Sequence, residues 1–148
     1  MKKKISTYLS WGVPVFAAMC AVAAFFMIFA EAVRFELPIL GASTFSGLQV
    51  ALGYTVNSVP IFEASAGIIL AFLLPLVGAC VAIIGKGNKI VSVLAAAMML
   101  TGGILAFCTI SLLNGTWIGA PCLAVGPIVS GVLSVVGALA ECGSVFLK

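Results

Sequence analysis

The sequence has no histidine, and seven Lys and Arg with four Asp and Glu leave only 7% of its 148 residues charged. A soluble domain carries roughly 25%. So few charges cannot keep a particle of this size dispersed in water, which excludes an ordinary globular enzyme and a disordered tail. Without histidine the chain lacks the usual proton shuttle and the commonest metal ligand. A net charge of +3 and a pI of about 8.7 rest on no basic stripe, so nucleic acid is not a partner. The cysteines, Cys20, Cys80, Cys108, Cys122 and Cys142, form no Cys-x-x-Cys pair, and a thiol oxidoreductase would need one. Gly85-Lys86-Gly87 lacks the pattern of a phosphate-binding loop. No catalytic, cofactor-binding or metal-binding set emerges, and the reading is non-enzymatic.

What is present is apolar: 64% of the side chains, with a mean hydropathy of +1.34. Ile5 to Ala30, Ala64 to Gly85 and Ile90 to Ala140 contain no charged residue. A helix rising 1.5 Å per residue crosses roughly 30 Å of hydrocarbon in about 20 residues. The first two stretches supply one crossing each. The third supplies two, divided by Asn114-Gly115-Thr116 and Gly119-Ala120-Pro121. The chain thus reads as one all-α transmembrane domain over residues 1–148, with spans at about 11–33, 64–84, 90–113 and 122–140 and a loop at about 34–63. Four spans put Lys2, Lys3, Lys4, Lys86, Lys89 and Lys148 on one side and leave Arg34 on the other. The positive-inside rule then predicts a multi-pass protein of the plasma (cytoplasmic) membrane with both termini cytoplasmic. Tyr8, Trp11 and Trp117 fall at the expected water–lipid boundaries.

Lys2–Lys4, the apolar run and Ala30-Glu31-Ala32 also match a cleavable signal peptide, but Val13 to Ala30 is long enough to span. Lipoprotein processing at Cys20 meets Met19 where a small residue is wanted. Cys20, Cys80 and Cys108 read as small hydrophobes within spans, and no structural disulfide is expected. Asn114-Gly115-Thr116 matches a glycosylation sequon but reads as a plain Asn-Gly turn.

Helices in lipid associate through close packing, which small residues permit. The fourth span and its entry carry Ala120, Ala124, Pro127, Gly131, Ser134, Ala138 and then Glu141 at spacings of four and three. Val125, Val129, Val132, Val136 and Leu139 follow on the other face. Small inward and bulky outward predicts a left-handed four-helix bundle with Ala124, Gly131, Ser134 and Ala138 as contact positions. Gly67, Ala71 and Gly78 form a similar stripe on the second span, and Ser92, Ala95, Gly102, Ala106 and Thr109 on the third. Pro75, near the middle of the second span, predicts a kink or local loosening. The acids all fall at helix ends or in the loop, which counts against an ion-coupled transporter. Should a pathway exist, Pro75, Thr101, Thr109, Ser130 and Ser134 are its candidate residues.

The segment from Phe35 to Phe62 is long and apolar for a loop, so it should fold onto the bundle or the membrane surface. Residues 46–53 read either as a helical turn stopped by Gly53 or as one strand of a small sheet. Glu31, Glu36 and Glu63 gather beside Arg34 at an outer mouth, where Glu31 and Arg34 pair three apart on a helix. A cation-attracting mouth is the sharper reading of that cluster.

Four spans, cytoplasmic termini, a large first external loop and a short second one resemble the claudin-like tetraspan layout. Gly47-Leu48 falls where that family has Gly-Leu-Trp, with Gln49 in place of the Trp, and the family's two loop cysteines are absent. The resemblance implies a left-handed bundle with a small external sheet, and a role in adhesion or as a channel accessory. The functional expectation is a structural or accessory subunit acting on the lipid bilayer, a membrane-protein partner or a second copy. A small transporter or channel is the alternative, and a holin-like pore former a third.

Overall fold

The computed structural model describes residues 2–37, 41–85, 88–115 and 119–147. Trp117, Thr116 and Lys86 lie outside them, as do residues 38–40. The structure is 70% helical. Four of its helices contain segments long and apolar enough to cross a membrane: Trp11–Phe29, Ala66–Ile84, Lys89–Phe107 and Val125–Phe146. The chain is a multi-pass membrane protein.

Helix α1 runs Lys2–Phe26 and ends in a 3-10 turn, Met27–Phe29. It begins well before Trp11, because apolar content marks the hydrocarbon while helical hydrogen bonding continues beyond it. It also stops short of Val33. Val33 and Phe35 alternate with Arg34 and Glu36 in strand β1, Glu31–Leu37, a period of two that suits a half-buried strand. β1 pairs antiparallel with β2, Gly41–Ser46, Val33 lying opposite Phe45 and Phe35 opposite Ser43. A short helix α2, Gly47–Leu52, follows directly. Then β3, Tyr54–Val56, and β4, Val59–Phe62, form a separate hairpin. Asn57 and Ser58 take positive φ values of 50° and 67° between them, as a two-residue turn matched to strand twist requires.

Helix α3 covers Ala66–Ile84 and α4 covers Lys89–Phe107, which ends in a 3-10 turn at Thr109–Leu112. The start of the expected fourth span is instead strand β5, Ala120–Leu123, which pairs with the free side of β1. Helix α5 begins only at Val125 and continues past Ala140 to Leu147. Residues expected to open a helix are thus drawn into the sheet, whose order is β2-β1-β5. The long loop contains both a helical turn and strands.

In the bundle α1 packs on α3, α3 on α4, α4 on α5 and α5 on α1, so the helices form a closed ring. Small residues set the spacing. A Cβ added at Gly102 would lie 2.5 Å from Pro75 Cδ and 2.7 Å from its Cγ, so the proline ring of α3 sits in a notch of α4. Gly78 is also close-packed, its added Cβ falling 2.9 Å from the Ala95 carbonyl oxygen. Helix α3 passes through Pro75 as one uninterrupted element.

A second core lies at the sheet end. Phe45 packs its ring centroid 5.0 Å from Phe62, 5.7 Å from Tyr54 and 5.9 Å from Phe35. These four rings come one each from β1, β2, β3 and β4, and they rest on Val50, Ala51, Ile68 and Phe72. Backbone bonds fix the sheets to the helix ends: Gly47 N donates to Ala30 O at 3.1 Å, Ser65 N to Ala51 O at 3.0 Å and Ala124 N to Ala32 O at 3.0 Å. All five cysteines are free thiols.

Candidate functional site

A chemically varied surface lies beside β1, where β5 passes into α5. Strict alternation along β1 would put Glu31 and Arg34 on opposite faces. The pairing of β1 with β2 is irregular between Glu31 and Val33, and Ala32 and Val33 are both buried. A bulge of this kind re-aims the residues before it. Glu31 therefore joins Arg34 and Glu36 on the solvent face. The expected pairing on a helix is corrected: Arg34 Nη2 and Glu31 Oε2 lie 3.7 Å apart on a bulged strand. Both side chains are about half exposed, 52% and 51%, so the pair contributes roughly 0–1 kcal/mol.

These three side chains rim a cleft of about 270 Å³ with Cys122 and Leu123 of β5 and Val125 and Ile128 of α5. Cys122 stands opposite Arg34 in the strand register. Glu63 does not line this cleft. It follows β4, and its backbone N–H donates to Asn114 O at 2.8 Å. The structure thus gathers three of the four expected mouth residues.

The second polar region is internal. Glu141 was expected at a helix end, yet α5 carries it inward, and it is 0% exposed. Ser144, one turn on, donates from Oγ to Glu141 Oε1 at 3.2 Å and to the Glu141 carbonyl oxygen at 2.7 Å. The same face of α5 carries Ser134, whose Oγ donates to Ser130 O at 2.7 Å, and Ser130, a fully buried hydroxyl that meets no partner among the described residues. An ionisable group inside a bundle is costly and usually functional. The spacing of Ser134, Ala138 and Glu141 already put the carboxylate on the small-residue face; only the assumed helix end at Ala140 hid its burial.

The remaining candidates divide. Gly131, Ser134 and Ala138 are buried, and Ala71 and Gly78 are buried on α3. Gly67 is half-buried against the Leu112 side chain. Ala124 precedes α5, so it serves as the sheet joint through its bond to Ala32 rather than as a helix-contact position. Thr101 faces outward and returns its Oγ1 to Ala97 O at 2.8 Å. Thr109 is buried and donates to Ala106 O at 2.6 Å. Each of these hydroxyls donates to a backbone carbonyl one turn before it, and Pro75 sits in the notch at Gly102. Among the described residues no three His, Cys, Asp or Glu side chains converge as metal ligands. No protein-family model, curated protein or solved structure matches the chain.

Proposed function

We propose that the protein is a non-enzymatic structural or accessory subunit of the plasma membrane, with a claudin-like layout and both termini cytoplasmic. One observation carries this reading. The ordered domain at the sheet end, with its own aromatic core, presents the outer sides of β2 and β5 at the edges of its three-stranded sheet. A strand edge offers backbone donors and acceptors to another chain. The small-residue faces further favour left-handed crossings among the helices.

The test is native mass spectrometry of the protein extracted gently from its own membrane. A second protein in constant ratio is the expected result. A lone monomer would remove the accessory reading.

The second reading is a small transporter or channel, and Glu141 is the observation that favours it. Proteoliposome flux of protons or monovalent cations, abolished by Glu141→Gln, would establish that reading over the first. Flux no greater than in empty liposomes would eliminate it.

A further inference from the structure

We propose that the cleft at the junction of β1, β5 and α5 binds an ethanolamine glycerophospholipid from the leaflet on the sheet side, headgroup in the cleft and one acyl chain along α5. The argument starts from the rim. Arg34 offers a guanidinium with five N–H donors, a match for a phosphodiester. Its pairing with Glu31 is weak and half exposed, which leaves most of those donors available. Glu31 and Glu36 stand on either side of it along β1, facing the same cleft. One cation between two carboxylates repels an anionic lipid or free phosphate through its net negative charge. It complements a headgroup that is itself a dipole. Of the two common zwitterionic headgroups, a primary ammonium brings N–H donors for the carboxylates, and a quaternary ammonium brings none.

The cleft wall selects a lipid over a soluble ligand. Val125 and Ile128, 62% and 42% exposed, line it, and Val132 continues the same exposed face of α5 toward the middle of the span. Positions three and four apart on a helix share a face, so the three side chains form an apolar track leading from the charged rim into the hydrocarbon. The volume of about 270 Å³ lies just below the range of roughly 300–1,000 Å³ typical of drug-sized sites. That is room for a headgroup whose chains lie outside. The site does not depend on whether the protein is an accessory subunit or a transporter.

The experiment uses the full chain, delipidated in detergent and offered ethanolamine, choline and glycerol phospholipids of identical acyl composition. Retained lipid is read by native mass spectrometry. The expected result is retention of the ethanolamine lipid at least about tenfold over the other two, falling to parity in the double variant Arg34→Gln, Glu36→Gln. Both positions are exposed, so an unchanged melting temperature checks that the variant is folded. Equal retention of the three headgroups, or a preference that survives the double variant, would overturn the proposal. Cys122 supplies a second readout from within the cleft. The ethanolamine lipid should slow its reaction with a water-soluble maleimide, and phosphoethanolamine without acyl chains should not. Equal protection by the soluble headgroup would overturn the role of the apolar track.

Discussion

Gly102 and Gly131 both lie on buried helix faces, yet the structure gives them different tolerances. A Cβ at Gly131 would meet the Phe107 ring at 2.8 Å, and that partly exposed ring can swing away. A Cβ at Gly102 would meet the Pro75 ring, which is tied to its own backbone. We therefore expect Gly102→Ala to cost about 1–3 kcal/mol and Gly131→Ala less than about 1 kcal/mol, measured by unfolding in mixed micelles. Gly131→Leu exceeds what one ring movement relieves and should be destabilising. Glu141 provides a second prediction. Glu141→Gln keeps the shape and an acceptor for Ser144, so the variant should fold and retain its melting temperature within a few degrees. Glu141→Arg puts a larger cation where no exposure is available and should abolish recovery of monodisperse protein in detergent. The small-residue face was readable from spacing alone. The Pro75–Gly102 notch was not, because residue periodicity on one helix says nothing about which neighbour meets it.

At the scale of elements, the apolar helices were readable because lipid demands long uncharged runs, and the strands were not. β1 carries its alternation only from Val33 onward, the bulge at Ala32 having broken it. β2 is mostly small and polar, and β5 is four residues hidden at the mouth of a hydrophobic run. Helix α2 is clearer in hindsight. Ser46 Oγ accepts from Gln49 N at 3.3 Å while Gln49 Oε1 accepts from Ser46 N at 3.0 Å, so Gln49 completes a reciprocal cap. Between Ile28 and Phe72 there is no space for a side chain at Gly47, whose added Cβ would lie 2.8 Å from the Ile28 carbonyl oxygen. The ring cluster does the cross-linking that this domain receives from no disulfide. Phe62→Ala should remove about 3–5 kcal/mol from the sheet-end domain. In hydrogen exchange, protection should fall over residues 41–62 while the amides of α3 and α4 keep theirs. Uniform loss throughout the bundle would show that the two cores unfold as one.

At the scale of the whole molecule, alternating helices put Lys2, Ile84, Lys89 and Leu147 at one end and the strands among the described residues at the other. Cys122 reports one end, and a cysteine at the exposed position Lys89 reports the other. An impermeant maleimide should label Cys122 in intact cells and label Lys89→Cys only after permeabilisation; the reverse pattern would invert the orientation expected from the lysines. The order in which the chain is made matters as well. β1 is the central strand, bonded on one side to its neighbour in sequence and on the other to β5, with Val33 opposite Leu123. Synthesis at roughly 5–20 residues per second separates those two positions by several seconds. For that interval the nascent protein stands in the bilayer with one flank of β1 unsatisfied. Arrival of β5 seals it, so a ribosome that stalls or a message that ends early leaves a sticky strand that membrane quality control can recognise as unfinished.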